Sequence, residues 1–135
     1  MTISYRNTDL DVTSAEDLAP LVKAFQTHKV FPSYASVILG SDGNWHANFE
    51  TDGQYQIPES NIKAMLNVIE SLSESLQLLW KTCDLREFNI GYDCGTEPWA
   101  FNNGISNQTL QRMATAGTTL RITIYPFVDG NADGV

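Results

Sequence analysis

His46 and Glu50 stand four residues apart, with Asn48 between them, in a stretch from Trp45 to Glu50 that alternates strictly between apolar and polar residues. On an extended strand this spacing puts His46, Asn48 and Glu50 on one face and Trp45, Ala47 and Phe49 on the other. A histidine with a carboxylate to orient it can serve as a general base, and this pair is the best hydrolase chemistry in the chain. Against that use, the only other histidine, His28, falls at a predicted helix end, and there is no serine elbow. A polar strand face is also the ordinary solvent side of a half-covered sheet. We therefore expect no enzymatic activity from this pair.

Cys94 lies between Asp93 and Gly95 with Glu97 close by. A nucleophilic thiolate needs a cation or a helix N-terminus beside it, and acids supply the opposite, so Cys94 reads as inert. Cys83 and Cys94 lack a second pair at zinc-ligand spacing, and without an export signal they read as reduced thiols. Gly91 and Gly95 do not match a phosphate-binding fingerprint. No metal or cofactor is expected. Trp45, Tyr55, Trp99 and Phe101 could form an interface hot spot, and Trp99 with Tyr92 a sugar-stacking platform. The rival reading is accordingly a small-ligand or carbohydrate-binding module, or a small hydrolase using His46 and Glu50.

Charge weighs more. The 135 residues carry 16 Asp plus Glu against 8 Lys plus Arg, a net charge of −8. Between Lys29 and Lys63 lie Asp42, Glu50, Asp52 and Glu59 and no base. Such a balance repels phosphate backbones and anionic lipid and attracts cationic surfaces. The expected partner site is Asp42, His46, Asn48, Glu50 and Asp52, on or beside one exposed strand face, with Tyr55 as an anchor. Helix capping and dipole complementarity explain Asp9, Asp11, Glu16 and Asp17 about as well as binding does.

The elements that must position these residues form one α+β domain over residues 1–127, followed by a flexible acidic tail over 128–135. A short strand is expected around Asp9 to Val12. A helix capped by Asp17 then runs to about Thr27, with Leu18, Leu21, Val22 and Phe25 on its apolar face. Tyr34 to Leu39 and Trp45 to Glu50 flank the turn signal Ser41-Asp42-Gly43 as a hairpin, and Tyr55 to Ile57 adds a short strand. The apolar stripe from Ile62 to Cys83 predicts one long amphipathic helix over about Glu59 to Thr82. Phe88, Ile90 and Tyr92 alternate in a strand. Ser106 caps a helix that Gly117 ends, and Leu120, Ile122 and Ile124 alternate in a last strand. The sum is an antiparallel or mixed sheet of five or six strands, the long helix across one face and two shorter helices beside it. The N-terminus has neither a basic leader nor an apolar run of signal length, so a cytoplasmic protein is expected.

Asp9-Leu10-Asp11-Val12 followed by Ser14-Ala15-Glu16-Asp17-Leu18 resembles the strand-then-capped-helix opening of small bacterial immunity proteins. The half from Ile62 to Phe127 is similar to a small bacterial domain found among them, through the helix ending in Leu79-Trp80, Arg86 to Gly91, Ser106 to Leu110 and Leu120 to Pro126. These matches cover about half the chain and are mostly core and cap positions. The resemblance implies an immunity protein that occludes a cognate basic toxin, including one that targets nucleic acid. The charge balance, and not the resemblance, argues against a nucleic-acid or membrane partner, and the resemblance assigns no binding residue individually.

Overall fold

The computed structural model describes residues 1–28, 33–51 and 55–127, with the backbone alone at Ser33 and Tyr34. In chain order the elements are β1 (Ser4–Ser14), α1 (Ala19–Thr27), β2 (Ser33–Leu39), β3 (Trp45–Thr51), α2 (Pro58–Glu70), α3 (Glu74–Lys81), β4 (Leu85–Asp93), α4 (Asn107–Thr115) and β5 (Thr119–Tyr125). The fold is α+β. The five strands form one mixed sheet in the order β2-β3-β1-β4-β5, antiparallel except for the parallel pair β4 and β5.

β1, β3 and β4 bury alternate residues, as the pleat requires. Leu10 and Val12 of β1, Ala47 and Phe49 of β3, and Phe88 and Ile90 of β4 share one buried cluster with Leu21, Val22 and Phe25 of α1 and Ile62, Met65, Leu66 and Ile69 of α2. Phe25 and Phe49 pack with ring centroids 4.1 Å apart. A polar seam ties α2 to the sheet. Asn61 donates to the Tyr5 hydroxyl at 2.5 Å and accepts from Thr51 at 2.5 Å, and Tyr5 in turn meets Thr8.

Several expectations hold. Leu18, Leu21, Val22 and Phe25 are all buried, although α1 begins one residue later than expected, with Leu18 and not Asp17 at its N-cap; Asp17 Oδ1 accepts from the Ala19 N–H at 2.8 Å. The hairpin turns at Gly43, whose φ of +83° is the left-handed conformation that glycine adopts without strain. Ser106 accepts from the Thr109 N–H at the start of α4. Gly117 follows that helix with a φ of +73°.

Three expectations need correction. The single long helix is two, because Ser71 closes α2 and Ser73 opens α3, its hydroxyl accepting from the Leu76 N–H. Trp80 is the one fully buried residue of α3. Tyr55 to Ile57 is not a strand; Ile57 is the N-cap of α2, with Pro58 at its first position. The strand at Asp9 to Val12 is the eleven-residue β1, the centre of the sheet, with a register irregularity between Tyr5 and Asn7. Residues 128–135, expected as a tail, lie outside the described residues, as does Asp52.

Arg86 joins the two halves of the helical layer. It donates to the carbonyls of Trp80, Lys81, Cys83 and Gly117 at 2.9 to 3.2 Å, placing its cation where α3 and α4 end. No helix among the described residues is long and apolar enough to cross a membrane.

Candidate functional site

The helices cover one face of the sheet and leave the other open, and the strand register decides which side chains meet there. Asp9 lies opposite Glu50 of β3 on one side and Asn89 of β4 on the other, with Arg121 of β5 beyond. In the next row, Asp11 lies between Asn48 and Glu87. Four carboxylates from three strands therefore share the middle of the open face. Like charges directly opposite destabilise a sheet, and here there are two such pairs, Asp9 with Glu50 and Asp11 with Glu87.

The strain is relieved unevenly. Arg121 Nε donates to Glu87 at 2.7 Å, and at the far end of the face Arg6 pairs with Asp93 at 3.1 Å while its guanidinium stacks over Tyr125. Among the described residues Asp9, Asp11 and Glu50 form no ion pair, although the Arg121 cation, bound to Glu87, also acts on Asp11 through its charge. Asn7 donates to both Asp9 and Glu50, at 3.1 and 3.3 Å, and Asn48 donates to Asp11 at 2.8 Å. Partial burial, followed by hydrogen bonding and repulsion from Glu50, pushes the Asp9 carboxyl up to about 7. Near neutral pH the face thus holds a shared proton where a cation would otherwise sit.

A stability prediction follows from that proton. The folded chain keeps it up to about pH 7, whereas an unfolded aspartate releases it near 3.8. Stability contributed by the protonated state is full below the unfolded value and is lost as pH rises through the folded one. Asp9→Asn preserves the shape and can donate to Glu50. It should match the wild type at about pH 4 and exceed it by about 1–2 kcal/mol at pH 8, the effect being reduced because solvent reaches the pair. Urea denaturation across that range checks it; a variant less stable than the wild type at pH 8 would show that the carboxylates are not crowded.

Among the expected partner-site residues, Asn48 and Glu50 belong to this cluster. His46 is on the same face but opposite Thr13, four residues from Glu50 and so about 13 Å along the strand. Its ring Nε2 meets Asp42 at 3.1 Å, so the carboxylate beside the histidine comes from the hairpin turn and not from Glu50. The backbone N–H of Asn44, and then His46, hold the exposed Asp42 carboxyl below its ordinary value. Tyr55 is half-buried and packs against the core instead of standing as an exposed anchor. Asp9 and Asp11, which the sequence divides evenly between helix capping and binding, share this face with Glu87, which the sequence does not single out. Their alternation with Leu10, Val12 and Phe88 was the available signal.

A second concavity, a cleft of about 400 Å³, lies at the other end of the sheet beside β5. Tyr92, Phe101, Ile122 and Ile124 give it an apolar lining, with Asp93 and Asn102 at its margin. Tyr92 and Phe101 meet edge to face, with centroids 5.8 Å apart. Trp99, the expected stacking partner of Tyr92, is fully exposed and does not line the cleft. Both cysteines are free; Cys83 is buried, which pushes its thiol up to about 11. Among the described residues, no three His, Cys, Asp or Glu side chains are placed to hold a metal ion. Comparison with protein-family models, with curated proteins and with solved structures returned no match.

Proposed function

We propose that this protein is a non-enzymatic binder that presents the open sheet face, centred on Asp9, Asp11 and Glu50, to a basic protein surface. The observation that carries this reading is the crowding of three carboxylates that form no ion pair among the described residues, with the Asp9 carboxyl pushed up to about 7. Lysine or arginine from a partner would supply the missing counter-charge, and the carboxylates, already fixed by Asn7 and Asn48, would lose little freedom on accepting it. A broad face suits occlusion better than turnover, since a catalytic site needs convergent groups in a concavity.

Within this reading, the resemblance to small immunity proteins gives the partner its kind: a toxin whose own basic substrate-binding surface is covered by the acidic sheet. Charged surfaces act mainly through the association rate, so the complex should form fast at low salt and more slowly at high salt. The test is stopped-flow association with the protein encoded by the adjacent reading frame, and with a ten-residue oligolysine peptide as a generic cationic probe. Association that does not respond to salt would place the interface elsewhere.

A further inference from the structure

Among the described residues, β5 is an edge strand with an uncovered apolar face. Its register with β4 sets Leu120, Ile122 and Ile124 beside Phe88, Ile90 and Tyr92, on the side of the sheet where the helices pack. Phe88 and Ile90 are buried, yet Leu120, Ile122 and Ile124 are 42%, 60% and 65% exposed. The cause is the placement of α4. Its buried residues are Thr109 and Met113, and Arg112 fastens it to Glu70 and Asn67 of α2, so it lies over α2 and leaves β5 bare.

The opposite edge is different. The residues of β2 on the helix side, Ala35 and Val37, pack against the core. Natural sheets blunt free edges with lysine, proline or bulges inside the strand. β5 reads Thr-Leu-Arg-Ile-Thr-Ile-Tyr, and its one charge, Arg121, is already neutralised by Glu87.

We propose that β5 is a dimerisation edge, on which a second copy of this chain pairs antiparallel about a two-fold axis at Ile122. Three observations select a second copy over another occupant. The first is register: with Ile122 opposite its own counterpart, Leu120 meets Ile124, and all three apolar residues of both strands fall on one face. The second is charge: Arg121 then stands opposite Thr123 and no like charges face each other, while a neutral strand offers nothing to attract a charged partner. The third is area. Leu120, Ile122, Ile124 and the cleft residue Phe101 expose on the order of 400 Å² per copy, an upper bound on the side-chain area that pairing can cover, which sets such a dimer among the small, transient interfaces. A dimer of this size is expected to be weak and concentration-dependent. It would close the side of the cleft formed by Ile122 and Ile124.

Sedimentation equilibrium of the full chain up to about 300 μM tests this. The copies carry −8 each, so salt should tighten the dimer, the reverse of its effect on a basic partner. Ile122→Lys, at a position exposed enough for the monomer to tolerate it, should raise the dissociation constant at least about 30-fold with an unchanged circular dichroism spectrum. For the register, Ile122→Cys in a Cys94→Ser background should cross-link to its own copy, since directly opposed Cα atoms lie about 4.5–5.5 Å apart. Ile38→Cys, on the exposed side of the other edge, should not. A wild type monomeric at every concentration, a dimer indifferent to Ile122→Lys, or cross-linking through Ile38→Cys in place of Ile122→Cys would overturn the proposal.

Discussion

Replacing Asp11 and Glu50 together by lysine should slow association with a basic partner by roughly tenfold to a hundredfold at low salt, and by much less at high salt. The two reversals change the net charge from −8 to −4, two units each, and they fall on both sides of Asp9 in the middle of the open face. Folding should not suffer. Glu50 and Asp11 both repel Asp9, so a lysine at either position offers it an ion pair where there was repulsion, and stability should be unchanged or raised at neutral pH. Slower binding with intact or higher stability separates a binding role from a structural one. Stopped-flow rates at two salt concentrations and urea curves on the same samples supply both readings. Equal rates for the variant and the wild type would assign the carboxylates to solubility alone.

Phe49→Ala should cost about 3–5 kcal/mol, a large share of the 5–15 kcal/mol that stabilises a domain of this size. Phe49 is fully buried, it packs on Phe25 of α1, and its strand neighbours on the opposite face are Asn48 and Glu50. Removing the ring leaves a cavity between sheet and helix and loosens the strand that carries Glu50. Phe49→Leu keeps most of the volume and should lose less than half as much. Guanidinium denaturation distinguishes the two. A loss below about 1 kcal/mol for the alanine variant would mean that α1 is not seated on β3.

The two faces of β3 were readable because His46, Asn48 and Glu50 alternate with large apolar residues, and the pleat turns alternation directly into sidedness. β1 obeys the same rule, but its buried side holds Thr8 and Ser14 as well as Leu10 and Val12, so polar residues hide both its length and its central place. Asp9 and Asp11 consequently read as acids near a helix start. Their meeting with Glu50 and Glu87 is a matter of register between distant strands, which no local pattern encodes. The break between α2 and α3 was hidden for the opposite reason: the apolar stripe continues through Leu72 and Leu76, while the end is written in the serines that cap it. The alternation of β5 was legible, but its exposure was not, because that depends on where α4 packs.

The acidic-face account is tested most directly by counting protons when a basic ligand binds. A cation seated beside Asp9 favours its ionised form and must expel the proton it holds near pH 7. Titration calorimetry of the adjacent frame's product, or of oligolysine, in two buffers of different ionisation enthalpy at pH 7 should show release of up to about half a proton per complex. The same titration with Asp9→Asn should show no release while binding persists. Tight binding with no proton released by the wild type, or with the same release from Asp9→Asn, would contradict the placement of the partner on Asp9, Asp11 and Glu50.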